Sequence, residues 1–335
     1  MKKIKIAQIG TSRNSHGNEI WCCLLRQSDI FEVVGYALPE NEREKFPKQV
    51  QVFEGYPEMT VEEILSNPEI EAVAVETEEI YLTKYALMVV KAGKHLHMEK
   101  PGGREVADFE ELIRLLKEKN LVFSTGYMYR FNPAIRAALE KVERGDLGEI
   151  YAVEAHMDCK HPKEVREWLS TFPGGMMFYL GCHLIDLIYR IQGEPEEILP
   201  LNCATGFDGL DAKDYGMVVL KYKNGVSFAK TCAAEHGGFL RRQLVICGEK
   251  GSLEIKPIEA FCENGLYTVK GEYYGSDSGN DWGKAWKTEK SHAFDRYDGM
   301  MQNFAEMIRG KENPYSYDYE WNLYKLVMRA CGKEI

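Results

Sequence analysis

One stretch of the chain places polar side chains at the spacing of a single helix face. Tyr179, His183 and Asp186 follow at intervals of four and three residues, and Arg190 continues the row beside a stripe of leucines and isoleucines. A histidine exchanges protons near neutral pH, and Asp186 is spaced to orient the His183 ring or fix its tautomer. The pattern predicts an acid or base at His183, although a histidine with only a packing role fits it equally well.

The segment Glu99-Lys100-Pro101 closes an apolar run and offers a second reactive group. A lysine at such a strand end can hold a substrate hydroxyl and stabilise the oxyanion that forms as hydride leaves. The proline restricts Lys100 to extended conformations, which is less ordinary for a lysine that only faces solvent. On this segment alone, a surface lysine remains the simpler alternative.

Short apolar runs alternate with helical patterns over the first 125 residues or so, beginning with the strand pattern Ile4–Ile9. Repeated alternation of strand and helix predicts a doubly wound parallel sheet, whose ligands bind beyond the carboxyl ends of the strands. Gly10, Thr77 and Lys100 all fall at such ends. The elements therefore bring these three residues to one edge of the predicted sheet.

The turn from Gly10 to Gly17 opens the first helix, where a dinucleotide's pyrophosphate meets free backbone N–H groups. Only these two glycines remain of the usual glycine-rich pattern, because Ser12 stands in place of the second glycine. Polar side chains can supply contacts instead. We expect NAD or NADP to be held in this loop by Gly10, Ser12, Arg13, Asn14, Ser15 and His16. A plain strand-to-helix turn is the alternative.

The second strand pattern, Phe31–Ala37, ends near the place of an acidic residue that binds the adenosine ribose. Leu38 stands there instead, and Glu40 is the next carboxylate along the chain. Arg43 is only weakly suggestive of a 2′-phosphate contact, so the sequence leaves NAD and NADP open. The remaining expected cofactor contacts lie at the ends of later strands, at Thr77, Glu99 and Lys100.

The rhythm of the sequence changes after about residue 125. We predict an NAD(P)-binding Rossmann domain over 1–125 and an α/β domain for substrate binding and oligomerisation over 126–335. Turn signals such as Asn224-Gly225 predict hairpins in the second domain, and hence a large, mostly antiparallel open sheet. Residues 271–291 predict a long loop. The last helical pattern, 317–331, packs against the second domain or back on the first.

The composition limits the partners of the chain. Its 335 residues include 42 basic and 52 acidic ones, and the formal charge of −10 argues against nucleic acid or an anionic membrane as the main partner. The nine cysteines follow no disulfide spacing, and no apolar stretch reaches the roughly 20 residues of a membrane span. The cluster His156, Asp158, Cys159 and His161 matches no closed zinc pattern, so we expect no metal. Cytoplasmic chemistry on a small molecule is the natural expectation.

Several segments together resemble the Gfo/Idh/MocA family of oxidoreductases. They are the Gly10 turn, Lys91-Ala92-Gly93-Lys94 leading into Glu99-Lys100-Pro101, Arg130-Phe131-Asn132-Pro133, Gly174-Gly175 followed by Gly181-x-His183-x-x-Asp186, and Gly248-Glu249-Lys250-Gly251-Ser252. The resemblance runs in order along nearly the whole chain. It implies a Rossmann domain followed by an α/β domain whose open sheet often mediates dimer or tetramer formation.

For activity, the resemblance implies hydride transfer between NAD or NADP and a secondary alcohol or carbonyl of a sugar, inositol or related polyol. By that analogy Lys100 positions the reacting oxygen, and His183 acts as acid or base. The family's Lys-Pro bond is often cis, which extends to Lys100-Pro101. The expected substrate contacts are Tyr127, Arg130, Trp168 and Asp186.

Three positions depart from the family pattern. Tyr179 stands where an aspartate usually precedes the catalytic histidine by four residues, Ser12 replaces a glycine, and Glu76 to Tyr81 replaces the common Thr-Pro or Asn-Pro segment. Tyr179 can still donate a hydrogen bond or a proton, so we keep it as a catalytic candidate. The departures leave two further hypotheses: a ligand-binding or regulatory protein without turnover, and an enzyme of the epimerase, lyase or glycosidase type that uses bound NAD transiently.

Overall fold

A computed structural model describes residues 2–14, 16–275 and 286–335. The chain forms two compact units. Unit 1 comprises the residues up to Met128 together with Tyr297–Tyr324, and unit 2 comprises Tyr129–Arg296 and Lys325–Ile335. Within the described residues, no helix is long and apolar enough to cross a membrane.

Unit 1 is built on a five-stranded sheet. Its strands are β1 (Ile4–Ile9), β2 (Phe31–Ala37), β3 (Ala72–Val75), β4 (His95–Met98) and β5 (Phe123–Thr125). All neighbours pair in parallel in the order β2-β1-β3-β4-β5, so the strand order reverses between β1 and β3. This confirms the predicted doubly wound sheet, and it sets a ligand crevice at the carboxyl ends of β1 and β3.

Five helices connect these strands. They are α1 (Gly17–Arg26), α2 (Glu42–Lys45), α3 (Val61–Ser66), α4 (Leu82–Lys91) and α5 (Val106–Lys119). Each longer helix buries one apolar stripe against the sheet. On α1 that stripe includes Trp21, whose ring meets Phe53 edge-on with 4.9 Å between centroids. Thr60 and Glu63 form the capping box that starts α3, because each side chain accepts the other's backbone N–H.

Unit 2 is built on an eight-stranded sheet in the order β15-β14-β11-β10-β6-β9-β8-β7. Its strands are β6 (Ile150–Asp158), β7 (Glu197–Pro200), β8 (Tyr215–Tyr222), β9 (Gly225–Cys232), β10 (Gln243–Gly248), β11 (Gly251–Ile255), β14 (Val269–Tyr274) and β15 (Lys287–Lys290), with β12 (Ala260–Cys262) and β13 (Gly265–Tyr267) pairing as a separate hairpin. Among the described strands of this sheet, the β6–β9 pairing is the one parallel pairing. The predicted large, mostly antiparallel sheet is confirmed.

The helices of unit 2 are α6 (Pro133–Glu143), α7 (Lys163–Trp168) and α8 (Cys182–Gln192). A π-helical turn, Met177–Gly181, precedes α8, so the predicted uninterrupted helical spacing from Tyr179 onward was wrong at its first turn. Short 3-10 turns occur at Gln49–Phe53, Met128–Phe131, Leu169–Thr171, Phe207–Gly209 and Gly238–Arg241.

Two helices follow the second sheet, α9 (Asp298–Ile308) and α10 (Tyr317–Ala330). Helix α9 and the first half of α10 belong to unit 1, and the end of α10 belongs to unit 2. In unit 1 the Tyr324 ring stacks on Phe109 with 4.0 Å between centroids, and its hydroxyl donates to the Gly103 carbonyl at 2.8 Å. The prediction of a loop over 271–291 was wrong at its two ends, which are strands; 276–285 lies outside the described residues.

Candidate functional site

The turn after β1 requires glycine. Gly10 has a φ of +87°, and a Cβ there would lie 2.4 Å from Thr77 Cγ2. A side chain at Gly17 would come within 3.1 Å of Glu76 Cβ. The backbone of the first turn therefore passes directly against the segment that follows β3, at the reversal point of the strand order.

Buried polar side chains stabilise the same turn through hydrogen bonds. Gln8 donates to the carbonyls of Gly10 and Gly17, both at 3.0 Å, and the Thr11 N–H donates to Glu42 at 3.1 Å. Burial raises the pKa of the Glu42 carboxyl to about 9. Glu42 is a residue that sequence reasoning missed, because nothing local shows that the fourth residue after Leu38 turns inward.

The other loop residues are placed as follows. Arg13 lies over the Phe46 ring at 5.9 Å, and its carbonyl accepts from Gln49 at 3.0 Å. Ser12 is buried, and the His16 ring lies 5.4 Å from that of Tyr297. Asn14 belongs to the same turn, while Ser15 lies outside the described residues.

The end of β2 borders a pocket of about 480 Å³ in unit 1. Leu38 lines it together with Met59, Lys84 and Met88. The Glu40 carboxylate accepts from Lys84 Nζ at 2.6 Å and from the Tyr85 hydroxyl at 2.7 Å, and both of these partners line the same pocket. These hydrogen bonds hold the pKa of Glu40 below its usual value. The carboxylate therefore stays ionised near neutral pH.

Buried ionisable side chains follow the ends of β3 and β4. Lys100 is only 3% exposed, so it is not a surface lysine, and its N–H donates to Glu99 at 2.9 Å. Its Nζ lies 3.9 Å from the same carboxylate. The Lys100-Pro101 bond is cis, as the resemblance implied. Desolvation raises the pKa of Glu99 to about 7, although Lys100 opposes that shift.

Sequence reasoning did not assign roles to two further carboxyls, Glu76 and Glu79, which follow β3 and are fully buried. Glu76 lies 3.5 Å from His97 Nε2. Burial raises the pKa of Glu76 and lowers that of His97 to about 3, so burial disfavours the charged form of both groups. The signal for them was the run Glu76-Thr77-Glu78-Glu79 directly after a buried strand.

Unit 2 contains the helical candidates. His183 on α8 is 1% exposed, and the Tyr129 ring meets it edge-on with 5.0 Å between centroids. The Asp186 carboxylate accepts three hydrogen bonds from the Arg130 guanidinium at 2.7 to 3.1 Å. Arg190 at the end of the row forms an ion pair with Glu143 at the surface. Asp186 is thus fixed by Arg130, which gives both predicted substrate contacts a buried partner.

Tyr129 also contacts a buried network of charged side chains. The sequence did not suggest this network. Its hydroxyl donates to Glu259 at 2.6 Å, and Arg242 and Arg296 pair with the same carboxylate at 3.0 and 2.8 Å. Glu259 and Tyr129 are 130 residues apart in sequence, so no local pattern joins them.

Aromatic rings surround Tyr179 on the π-helical turn. Trp168 meets it edge-on at 5.2 Å, Phe172 stacks at 6.5 Å, and His161 lies 6.3 Å away. π-helical turns occur frequently at functional sites. Tyr127, the remaining predicted substrate contact, is buried in unit 1.

Among the described residues, no three histidine, cysteine or carboxylate side chains form a group that could hold a metal ion. Asp158, from the cluster weighed in the sequence, instead accepts from Lys230 at 3.1 Å.

Two family models match the chain. An oxidoreductase family with an NAD-binding Rossmann fold matches residues 4–127, and the GFO/IDH/MocA C-terminal domain matches residues 135–254. The chain belongs to the Gfo/Idh/MocA family. Its N-terminal domain is therefore the NAD-binding Rossmann domain of an oxidoreductase family, as its own sequence motifs indicated.

Named relatives of this Gfo/Idh/MocA protein are oxidoreductases. An uncharacterized oxidoreductase, YhhX of Escherichia coli, is 34% identical over 41% of this chain and 40% of its own length. The trans-1,2-dihydrobenzene-1,2-diol dehydrogenase of Bos taurus is 26% identical over 67% of this chain and 66% of its own. The chain thus spans less than two thirds of the length of these relatives.

A levoglucosan dehydrogenase solved with NADH and levoglucosan shares the fold. Its TM-score is 0.77 at 17% identity, with 99% of this chain and 98% of that chain covered. At this identity the likeness concerns the fold alone.

The residues of unit 1 fit the dinucleotide of the family. The Gly10 turn leaves room only for backbone against Thr77, and α1 starts at Gly17 directly beyond it. A pyrophosphate would be held by the backbone of residues 11–14 and the start of α1, and the adenosine by the pocket beside Leu38. The nicotinamide half would then lie on the β3 and β4 side, where Thr77, Glu99 and Lys100 would be the residues to hold it.

Proposed function

We propose that the enzyme oxidises a secondary alcohol of a sugar, inositol or related polyol, or reduces the corresponding carbonyl, with hydride passing to or from the nicotinamide. One observation carries this proposal: unit 2 holds a buried histidine, His183, on the helix that follows the aromatic rings around Tyr179. Rings such as Trp168, which is partly exposed, suit the apolar C–H face of a sugar.

Two residues divide the chemistry in this proposal. Lys100 holds the reacting oxygen through its ammonium group and stabilises negative charge on it. His183 takes the hydroxyl proton during oxidation and returns it during reduction. The bound cofactor supplies the hydride acceptor or donor.

Other residues of the proposed site position Lys100 and His183 or contact the substrate. Asp186 and Arg130 form a rigid ion pair one helical turn from His183, which fixes the surroundings of the imidazole. Tyr179 takes the position of the usual aspartate as a donor to a substrate hydroxyl. Tyr127 completes the expected contacts with the polyol.

The names of relatives favour the same class of substrate. One relative is a dehydrogenase of a cyclic diol, and a protein of the same fold was solved with the sugar derivative levoglucosan. Both ligands carry secondary hydroxyls on a ring. We propose a cyclic polyol for this chain as well.

We also propose a homodimer or homotetramer formed through the sheet of unit 2. Apolar side chains are exposed on three of its strands: Tyr151 at 46%, Leu199 at 55% and Val226 at 52%. A partner copy would remove this surface from water. We propose that the protein acts in the cytoplasm, because its cysteines follow no disulfide spacing.

A panel of sugars, inositols and cyclic diols tests the proposed reaction. The purified protein is mixed with each compound and with NAD⁺ or NADP⁺, and the near-ultraviolet absorbance of the reduced nicotinamide is followed. We expect one compound class to give stoichiometric reduction, and Lys100→Ala and His183→Ala to abolish it in folded protein. Turnover of substrate without net absorbance change would indicate transient oxidation instead, and cofactor binding without any turnover would indicate a regulatory protein.

A further inference from the structure

Glu79 is a buried carboxyl that the proposed reaction does not use. It lies in the turn between β3 and α4 and is 0% exposed. Apart from its own backbone N–H, neither carboxylate oxygen has a hydrogen-bond donor among the described residues. An ionised carboxylate buried in this way is costly unless a positive charge or a donor faces it.

Three charged side chains, Lys100, Glu99 and Glu78, act on the Glu79 carboxyl. Lys100 attracts its ionised form, whereas Glu99 and Glu78 oppose that form. Glu76, three residues before Glu79, is itself influenced by Glu19, Glu79, Glu99 and Lys100. One ammonium group thus serves several carboxyls, so some of these carboxyls keep a proton near neutral pH.

The location of Glu79 points to the ligand that can change its proton occupancy. The strand order reverses between β1 and β3, and the adenosine half of a dinucleotide lies on the β2 side of that point. The nicotinamide half therefore lies on the β3 side, where Glu79 is. The oxidised nicotinamide ring carries a positive charge and the reduced ring carries none.

We propose that Glu79 discriminates between the oxidised and the reduced cofactor by exchanging a proton: it is protonated beside the neutral ring and ionised beside the cationic ring. This inference rests on the proposed function, because it requires a nicotinamide cofactor in unit 1. Binding of the oxidised form then releases a proton from the Glu79 carboxyl to solvent. Binding of the reduced form releases none.

The direction of the pH dependence follows. Burial raises the pKa of Glu79 to about 7 in the free protein, and a cationic ring lowers that pKa. Affinity for the oxidised form therefore rises with pH up to about 7 and then levels off. Each unit by which the ring lowers the pKa gives up to about tenfold in affinity. Affinity for the reduced form changes little over this range.

Calorimetry of cofactor binding tests this directly. Titrations at pH 7 in buffers of different ionisation enthalpy count the protons released per bound NAD⁺ and NADH, or per NADP⁺ and NADPH if that pair binds. We expect about half a proton for the oxidised form, since a group with a pKa near 7 is half protonated at this pH. No difference in proton release between the two forms would overturn the inference.

Two variants test whether the released proton comes from Glu79. Glu79→Gln should abolish the extra proton release and make the affinity ratio of the two forms independent of pH. Glu78→Gln, the same chemical change one residue earlier, should retain both effects. Retention of the effects in Glu79→Gln would overturn the inference, as would their loss in Glu99→Gln alone. Absence of binding of every nicotinamide form to the wild-type protein would instead refute the proposed function itself.

Discussion

The ring of Tyr129 stands edge-on to the imidazole of His183, with 5.0 Å between the centroids and 89° between the planes. The Tyr129 hydroxyl is in turn locked by Glu259 and Arg242, at 2.6 and 2.9 Å. A network remote in sequence therefore fixes one side of the candidate acid or base. This arrangement makes Tyr129 a positioning residue.

Tyr129→Phe keeps the ring and removes the hydroxyl. Glu259 and Arg242 then lose a buried partner, so the free energy of unfolding should fall by about 1–3 kcal/mol in urea titrations. Because the edge contact remains, kcat should change by less than about tenfold. Tyr129→Leu also removes the ring and should lower kcat further while KM changes less. Equal kcat values for the two variants would contradict the positioning role.

The buried Arg130–Asp186 pair should be sensitive to loss of either partner. Asp186→Asn leaves the guanidinium without its counter-charge, and we expect a loss of about 3–5 kcal/mol in the free energy of unfolding. Arg190→Gln on the same helix breaks the surface pair with Glu143 and serves as the control with little effect. If both substitutions lowered the free energy of unfolding by a similar amount, burial of the Arg130–Asp186 pair would not explain the loss.

Gly10→Ala tests the cofactor turn, and Gly55→Ala is its matched control. Both glycines have a φ near +85°, but a Cβ at Gly10 meets Thr77 whereas one at Gly55 meets nothing within 4 Å. Backbone strain should cost each variant about 1–2 kcal/mol of stability, and the clash with Thr77 should make Gly10→Ala the less stable of the two. Only Gly10→Ala should also weaken cofactor binding, by at least about tenfold in calorimetry. Unchanged binding in Gly10→Ala would place the cofactor elsewhere.

Glu42 predicts a pH dependence of stability. Its folded pKa of about 9 lies above the value in the unfolded chain, so the unfolded state releases a proton that the folded state keeps. This contribution to stability is fully present below about pH 4.5 and is lost as pH rises toward 9, by up to about 1.4 kcal/mol per pH unit. Glu42→Gln should therefore gain stability relative to wild type between pH 6 and 8. The exposed Glu44→Gln should track wild type in the same urea titrations.

Much of unit 1 was predictable from sequence. The predicted strands Ile4–Ile9 and Phe31–Ala37 have the bounds of β1 and β2. These signals are local, because a buried parallel strand needs apolar residues on both faces. The positions of Gly10 and Lys100 followed from strand ends alone.

The rest depended on contacts between distant segments. The strand β15 reads Lys-Thr-Glu-Lys and is fully exposed, so only its pairing with β14 makes it a strand. The π-helical turn before α8 shifts Tyr179 relative to the α-helical spacing assumed for His183. Likewise, Glu42 and Glu79 are buried although glutamate is usually exposed, and only the folded chain shows this.

The most direct test of the account follows the hydride itself. The substrate found in the panel is deuterated at the carbon that bears the reacting hydroxyl and is mixed with enzyme and one equivalent of oxidised cofactor, and both products are examined by mass spectrometry. We predict one deuterium in the reduced nicotinamide and none in the carbonyl product, with Lys100→Ala and His183→Ala giving no transfer. Deuterium that returns to the substrate-derived product or is lost to water would contradict the proposed reaction.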